Sequence, residues 1–211
     1  MIERLIRWTI YYPFRKLCSK IFIKKVSNRY ALPDEGFIAA ANHSSYLDIL
    51  SLSDSIFELK NKEARYLAKK ELVQNPIIHW IFRIGNQIIF DRKLEGQRAL
   101  QDAIGALKNK DVVGIFPEGT RSLDGKIQKG KTGVARLALW AKAPVVPVGI
   151  KGAYELMPKG TMIPKFKKNI LVKIGKPIYF NKYYNKKITK KLLRQLTNKI
   201  MKEIAKLSNQ V

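Results

Sequence analysis

From residue 36 onward, short apolar runs alternate with segments of helical period. GFIAAA (36–41), ARYLAK (64–69), QIIFD (87–91), VVGIFP (112–117), VVPVGI (145–150) and NILVKI (169–174) are bounded by polar or turn residues and read as strands. Between them, a stretch from Glu71 to about Ile84 reads as helix, as do the segment carrying Leu100, Ala103, Ile104 and Leu107 and the run GVARLALWAKA (133–143). Near the end, Ile188, Leu192, Leu196, Ile200 and Ile204 recur at four-residue steps among lysines, which predicts a basic amphipathic helix. Strands alternating with helices predict one α/β domain over 31–211, with a mixed, largely parallel sheet flanked by helices. Pro144 and Pro147 around one buried run predict an edge strand or the wall of a cleft.

Residues 1–30 follow a different pattern. Ile6, Ile10, Phe14, Leu17, Ile21 and their aromatic neighbours are interleaved with Arg4, Arg7, Arg15, Lys16, Lys20, Lys24 and Lys25. That is the composition of amphipathic helices lying at a membrane surface, with Pro13 kinking or dividing them. It also suits a helix packed on the domain. The longest uncharged piece in this segment, WTIYYPF, is far short of the roughly 20 residues that span a bilayer, and charge interrupts any signal-peptide pattern. The lone cysteine, Cys18, rules out an internal disulfide and fits a reducing compartment, with a small packing role for the thiol.

Charge sharpens the contrast between the ends and the middle. The net charge is +25, from 41 basic and 16 acidic side chains. Residues 1–30 hold 8 basic and 1 acidic, residues 159–211 hold 15 and 1, and the stretch between holds 18 and 14. Basic ends around a near-neutral body predict contact with an anionic surface, either nucleic acid or anionic lipid. The basic segments carry interfacial apolar residues and no helix-turn-helix or RNA-binding signature, so lipid is the expected partner and nucleic acid is not.

Candidate chemistry lies in the near-neutral middle. NHSSYLD (42–48) follows a strand and sets His43 five residues before Asp48. On a regular helix that spacing separates two side chains by about 140°. The pair therefore meets only if His43 sits in the turn and Asp48 in the first turns of the next helix, with Ser44 and Ser45 as caps. Such a pair could deprotonate a hydroxyl. FPEGTRS (116–122) gathers a carboxylate, a flexible glycine, a hydroxyl and a guanidinium in one loop. Arg121 suits a phosphate, because its fork matches two oxygens. GNQIIFDR (85–92) ends a further strand in Asp91 and Arg92. His79, in NPIIHWIF, has no such partner and reads as structural or interfacial.

In this order, the blocks at 42–48, 85–92, 116–122 and 144–150 resemble the four motif blocks of the glycerolipid acyltransferase family, over about residues 35–152. The N-terminal segment is similar to the membrane-docking helical pair of short bacterial members. The resemblance implies that His43 is the general base and Asp48 its orienting partner. It implies that Arg92, Glu118, Gly119, Thr120 and Arg121 hold the glycerol phosphate of the acceptor, and that Pro147 lies on the acyl-donor side. The implied reaction moves an acyl group from acyl-CoA or acyl carrier protein to the sn-2 hydroxyl of lysophosphatidate, with no cofactor and no metal. The implied setting is the cytoplasmic face of the cell membrane, as a peripheral or monotopic protein on anionic phospholipid. Glycerol 3-phosphate or another lysophospholipid remains an alternative acceptor. A non-catalytic lipid-binding protein would have no need to retain His43, Asp48, Glu118 and Arg121 together.

Overall fold

Strand β2 (Phe37–Ala41) is buried along its whole length. Phe37, Ala39 and Ala41 turn to one face and Ile38 and Ala40 to the other, each within a separate apolar cluster. A strand apolar on both faces belongs at the centre of a sheet covered on both sides. The computed structural model of the chain, which describes residues 6–28, 30–69, 87–90, 96–161 and 163–210, places it there.

The other strands are β1 (Ile23–Asn28), β3 (Ala64–Lys69), β4 (Ile88–Phe90), β5 (Val112–Ile115), β6 (Val145–Lys151) and β7 (Ile170–Ile174). They form one sheet in the order β1-β7-β6-β2-β5-β3-β4. Every neighbouring pair is parallel except β6 with β7, which is antiparallel. The helices are α1 (Tyr12–Phe22), α2 (Leu47–Lys60), α3 (Gly96–Lys108), α4 (Gly133–Ala141), the short α5 (Ala153–Leu156) and α6 (Lys190–Ser208). Apolar faces of α3, α4 and α6 pack on one side of the sheet through Ala103, Leu137 and Ile200. On the other side α2 covers it with Leu52 and Ile56, beside Phe22 at the end of α1. The result is a single domain with a mixed, largely parallel sheet between two helical layers.

Two expectations change at the edges. The N-terminal helical segment ends at Phe22, not near residue 30, because residues 23–28 form β1 and pair in parallel with β7. Lys24 and Lys25 lie exposed on this edge strand, where charge discourages further pairing. Pro147 is not at an edge: β6 lies between β7 and β2. Its carbonyl accepts from Gly175 N–H at 2.9 Å, just past the last residue of β7. The N–H that proline lacks would point to the same side. Only the one bond that this N–H would have made opposite Gly175, past the end of β7, is missing, so an interior strand tolerates it.

A π-helical turn, Arg7–Tyr11, runs into α1, which has Pro13 in its first turn. A proline ring crowds the carbonyl four residues back, and a wider turn relieves that clash. One face of α1 is tied to α2 and to the connection after it: Arg15 is buried, 3.4 Å from Asp54 and 4.2 Å from the Phe57 ring centroid on α2, and 2.8 Å from Glu63 just before β3. Ser19 donates to Asp54 as well. Away from these contacts Phe14 and Leu17 of α1 are exposed, as is Ile10 in the preceding turn. Among the described residues no helix is long and apolar enough to cross a membrane. The helical stretch expected at 71–84, with His79, lies outside the described residues.

Candidate active site

Because β2 and β5 are parallel neighbours, the chain leaves both at the same sheet edge. NHSSYLD follows β2 and FPEGTRS follows β5, so topology alone brings the two stretches together. Asn42 secures the first: its side chain donates to Ile150 O and accepts from Ile150 N, both at 2.8 Å, pinning the end of β2 to β6.

His43 then sits in the turn, and Asp48 in the first turn of α2. Their side chains meet, with Nδ1 of His43 3.1 Å from Oδ2 of Asp48. The same Oδ2 accepts from the backbone N–H of Ser44 at 2.5 Å and of Ser45 at 2.7 Å. Asp48 is fully buried. Two amides at the N-terminal end of a helix stabilise a carboxylate in such a place. The helix is capped in a different way from that expected, since Tyr46 is the N-cap residue. Ser45 Oγ nevertheless accepts from Leu47 N–H at 3.1 Å.

A buried carboxylate on Nδ1 fixes the tautomer of the histidine. Nδ1 carries the hydrogen, and Nε2 is left as the bare, basic nitrogen. The imidazole also stacks on Phe116, centroids 4.0 Å apart and 18° from parallel, and Phe116 in turn stacks on Tyr66 at 5.9 Å. Behind them Gly114 makes room, as a Cβ there would meet the Tyr66 ring at 2.3 Å.

The second loop is fastened to the first through the backbone. Ser122 N–H donates to His43 O at 2.8 Å. Glu118, buried, accepts from His43 N–H at 2.8 Å with one oxygen and from Gln128 N–H at 2.9 Å with the other. Burial pushes its pKa up to about 7 against the pull of those two amides. Both oxygens of Glu118 are thus turned to the protein backbone. Gly119 takes φ of +72°, which favours glycine, and its Cα approaches so near to Lys131 that a Cβ would lie 2.9 Å from Nζ. The Arg121 guanidinium lies over the Tyr46 ring, its Cζ 3.6 Å from the centroid. Its Nη1 is buried and has no hydrogen-bond partner among the described residues. A buried guanidinium nitrogen with a hydrogen left to donate favours an anion.

The structure therefore brings His43, Asp48, Glu118, Gly119 and Arg121 into one cluster. Thr120 is exposed beside it. Pro147 is buried within β6, opposite Ala40 of β2. Arg92 lies outside the described residues. Phe116, Tyr46 and the Gln128 amide complete the cluster without having been singled out in the sequence. The two rings act through their π-faces and Gln128 through its main chain, and neither leaves a side-chain pattern to read. Among the described residues no group of three or more His, Cys, Asp or Glu could hold a metal ion.

The acyltransferase family model matches residues 23–151, more than half of the 211-residue chain. The chain belongs to the acyltransferase family. The match begins with β1 and ends with β6, so it contains both loops of the site. A 1-acyl-sn-glycerol-3-phosphate acyltransferase of Bacillus subtilis is 36% identical over 65% of this chain and 69% of its own length. A chloroplastic protein of the same name from Arabidopsis thaliana is 31% identical over 81% of this chain, which spans 46% of that longer protein. The crystal structure of the 1-acyl-sn-glycerophosphate acyltransferase of Thermotoga maritima superposes with a TM-score of 0.66 at 26% identity, covering 98% of this chain and 92% of that one.

Proposed function

We propose that this acyltransferase transfers a fatty acyl group to the free sn-2 hydroxyl of 1-acyl-sn-glycerol 3-phosphate, giving phosphatidic acid. The observation that carries the reading is a base with a fixed tautomer beside an arginine that has a hydrogen bond to give: His43 on Asp48, and Arg121 in the loop tied to the His43 backbone. The names and extent of the bacterial relatives support the same acceptor.

Nε2 of His43 takes the proton of the acceptor hydroxyl as its oxygen attacks the thioester carbonyl of the acyl donor. Asp48, already on Nδ1–H, stabilises the imidazolium that results. The tetrahedral intermediate collapses, the C–S bond breaks, and the thiolate leaves with the proton held on Nε2. The nucleophile is the substrate's own oxygen, so no serine or cysteine of the chain forms a covalent intermediate. Arg121 and Arg92 hold the phosphate, and Gly119 and Thr120 let the loop approach it. Glu118 acts through the loop backbone, keeping the His43 turn at a set distance from Arg121. Acyl-CoA and acyl carrier protein are both donors of the required thioester, and Pro147 is assigned to the donor side. The exposed apolar and basic residues of the N-terminal helices hold the enzyme on anionic lipid, where its acceptor resides.

Mass-spectrometric identification of the product tests the reading directly. Incubation with a C16 acyl-CoA or the matching acyl carrier protein should convert lysophosphatidate to phosphatidate and leave glycerol 3-phosphate unchanged. Acylation of glycerol 3-phosphate in preference would assign a different acceptor.

A further inference from the structure

The chain between α5 and β7, residues 157–169, carries the two most exposed large apolar side chains among the described residues. Ile163 is 77% exposed and Phe166 74%. Around them Lys159, Lys165, Lys167 and Lys168 are all exposed, and no Asp or Glu occurs between Glu155 and Glu203. Soluble surfaces seldom present bare Ile and Phe inside a cluster of lysines. At a lipid interface the arrangement is favourable: rings and branched chains enter the acyl boundary while ammonium groups remain among anionic headgroups.

This segment is joined to α1. The Phe166 ring stacks on Phe22, the last residue of α1, at 6.0 Å, and Asn169 N–H donates to Phe22 O at 3.0 Å. Phe14 and Leu17 of α1, and Ile10 in the π-helical turn before it, are exposed, with Lys16 and Lys20 exposed beside them. Neither α1 nor residues 157–169 contain an acidic residue. The two elements therefore meet at Phe22, and each carries exposed apolar and basic side chains with no acidic one.

We infer that residues 157–169 are a second membrane anchor, inserting Ile163 and Phe166 into an anionic bilayer beside α1. The inference rests on the membrane association proposed above and goes beyond it. One amphipathic helix can roll about its own axis at an interface. A second point of insertion, carried by the chain entering β7 beside the β1 edge, fixes which side of the domain faces the lipid.

Sedimentation of the full chain with phosphatidylcholine vesicles, with and without phosphatidylglycerol, tests it against three variants. Ile163→Ser with Phe166→Ser should weaken partitioning to the anionic vesicles on the order of tenfold. Phe166→Trp, which keeps an interfacial ring, should bind as tightly as the wild type. Ile10→Ser with Phe14→Ser and Leu17→Ser should also weaken binding. Circular dichroism confirms that each variant is folded. If the Ile163 and Phe166 variant binds like the wild type while the α1 variant does not, the second anchor is overturned and membrane association stands. If the wild type binds neither vesicle, both ideas fail.

Discussion

Glu118 accepts one hydrogen bond from the turn that holds the base and one from the far end of its own loop. Its ionised form serves that role, since both oxygens must accept, yet burial raises its pKa from 4.5 to about 7. A carboxyl raised in the folded state binds its proton more tightly there than in the unfolded chain. Its stabilisation is complete below about pH 4.5 and is lost as pH rises through about 7. Glu118→Gln removes this titration. Thermal unfolding followed from pH 4.5 to 8 should show the wild type losing stability relative to the variant as pH rises. Parallel curves would mean that Glu118 does not titrate in that window. Arg121 makes a different prediction. Lysine cannot stack on Tyr46 as a planar group, nor offer two parallel donors to one phosphate. Arg121→Lys should raise KM for lysophosphatidate roughly tenfold with little change in kcat. A fall in kcat at constant KM would place the guanidinium in the chemical step instead.

At the scale of elements, α1 is held on the domain by one buried arginine between Asp54 of α2 and Glu63 beyond its end. Removing one partner from such a group leaves the others buried and unpaired. Arg15→Ala should therefore cost about 3–5 kcal/mol in urea unfolding, and a loss below about 1 kcal/mol would show the pairs to be effectively solvated. This docking could not be read from periodicity, because Arg15 sits where an interfacial helix would also carry a cation. β1 was hidden for a related reason. IKKVSN is an edge strand with two exposed lysines, so it has neither the apolar run of β2 nor a clean alternation. By contrast β2, β5 and β6 are apolar on both faces, and each was legible. The juxtaposition of His43 and Asp48 was legible too, since the five-residue spacing permits contact only across a turn-to-helix junction. The position of Glu118 was not, because its partners are main-chain amides that any residue could supply. Pro147 misled because the side of the strand its nitrogen faces depends on where β7 stops.

For the whole molecule, the parallel topology delivers the ends of β2 and β5 to one edge, and the two loops that start there tie themselves together at His43. The basic ends lie apart from this near-neutral centre in composition, and on the reading proposed above they serve surface attachment while the centre serves the chemistry. The central claim is that His43 is the base for acyl transfer to a lysophospholipid hydroxyl. It is tested most directly by thiol release from a long-chain acyl-CoA in detergent micelles, with and without lysophosphatidate, for wild type and His43→Ala. The account predicts acceptor-dependent release by the wild type and its loss, by at least a hundredfold, in a folded variant. Acceptor-dependent release that persists in His43→Ala would contradict it.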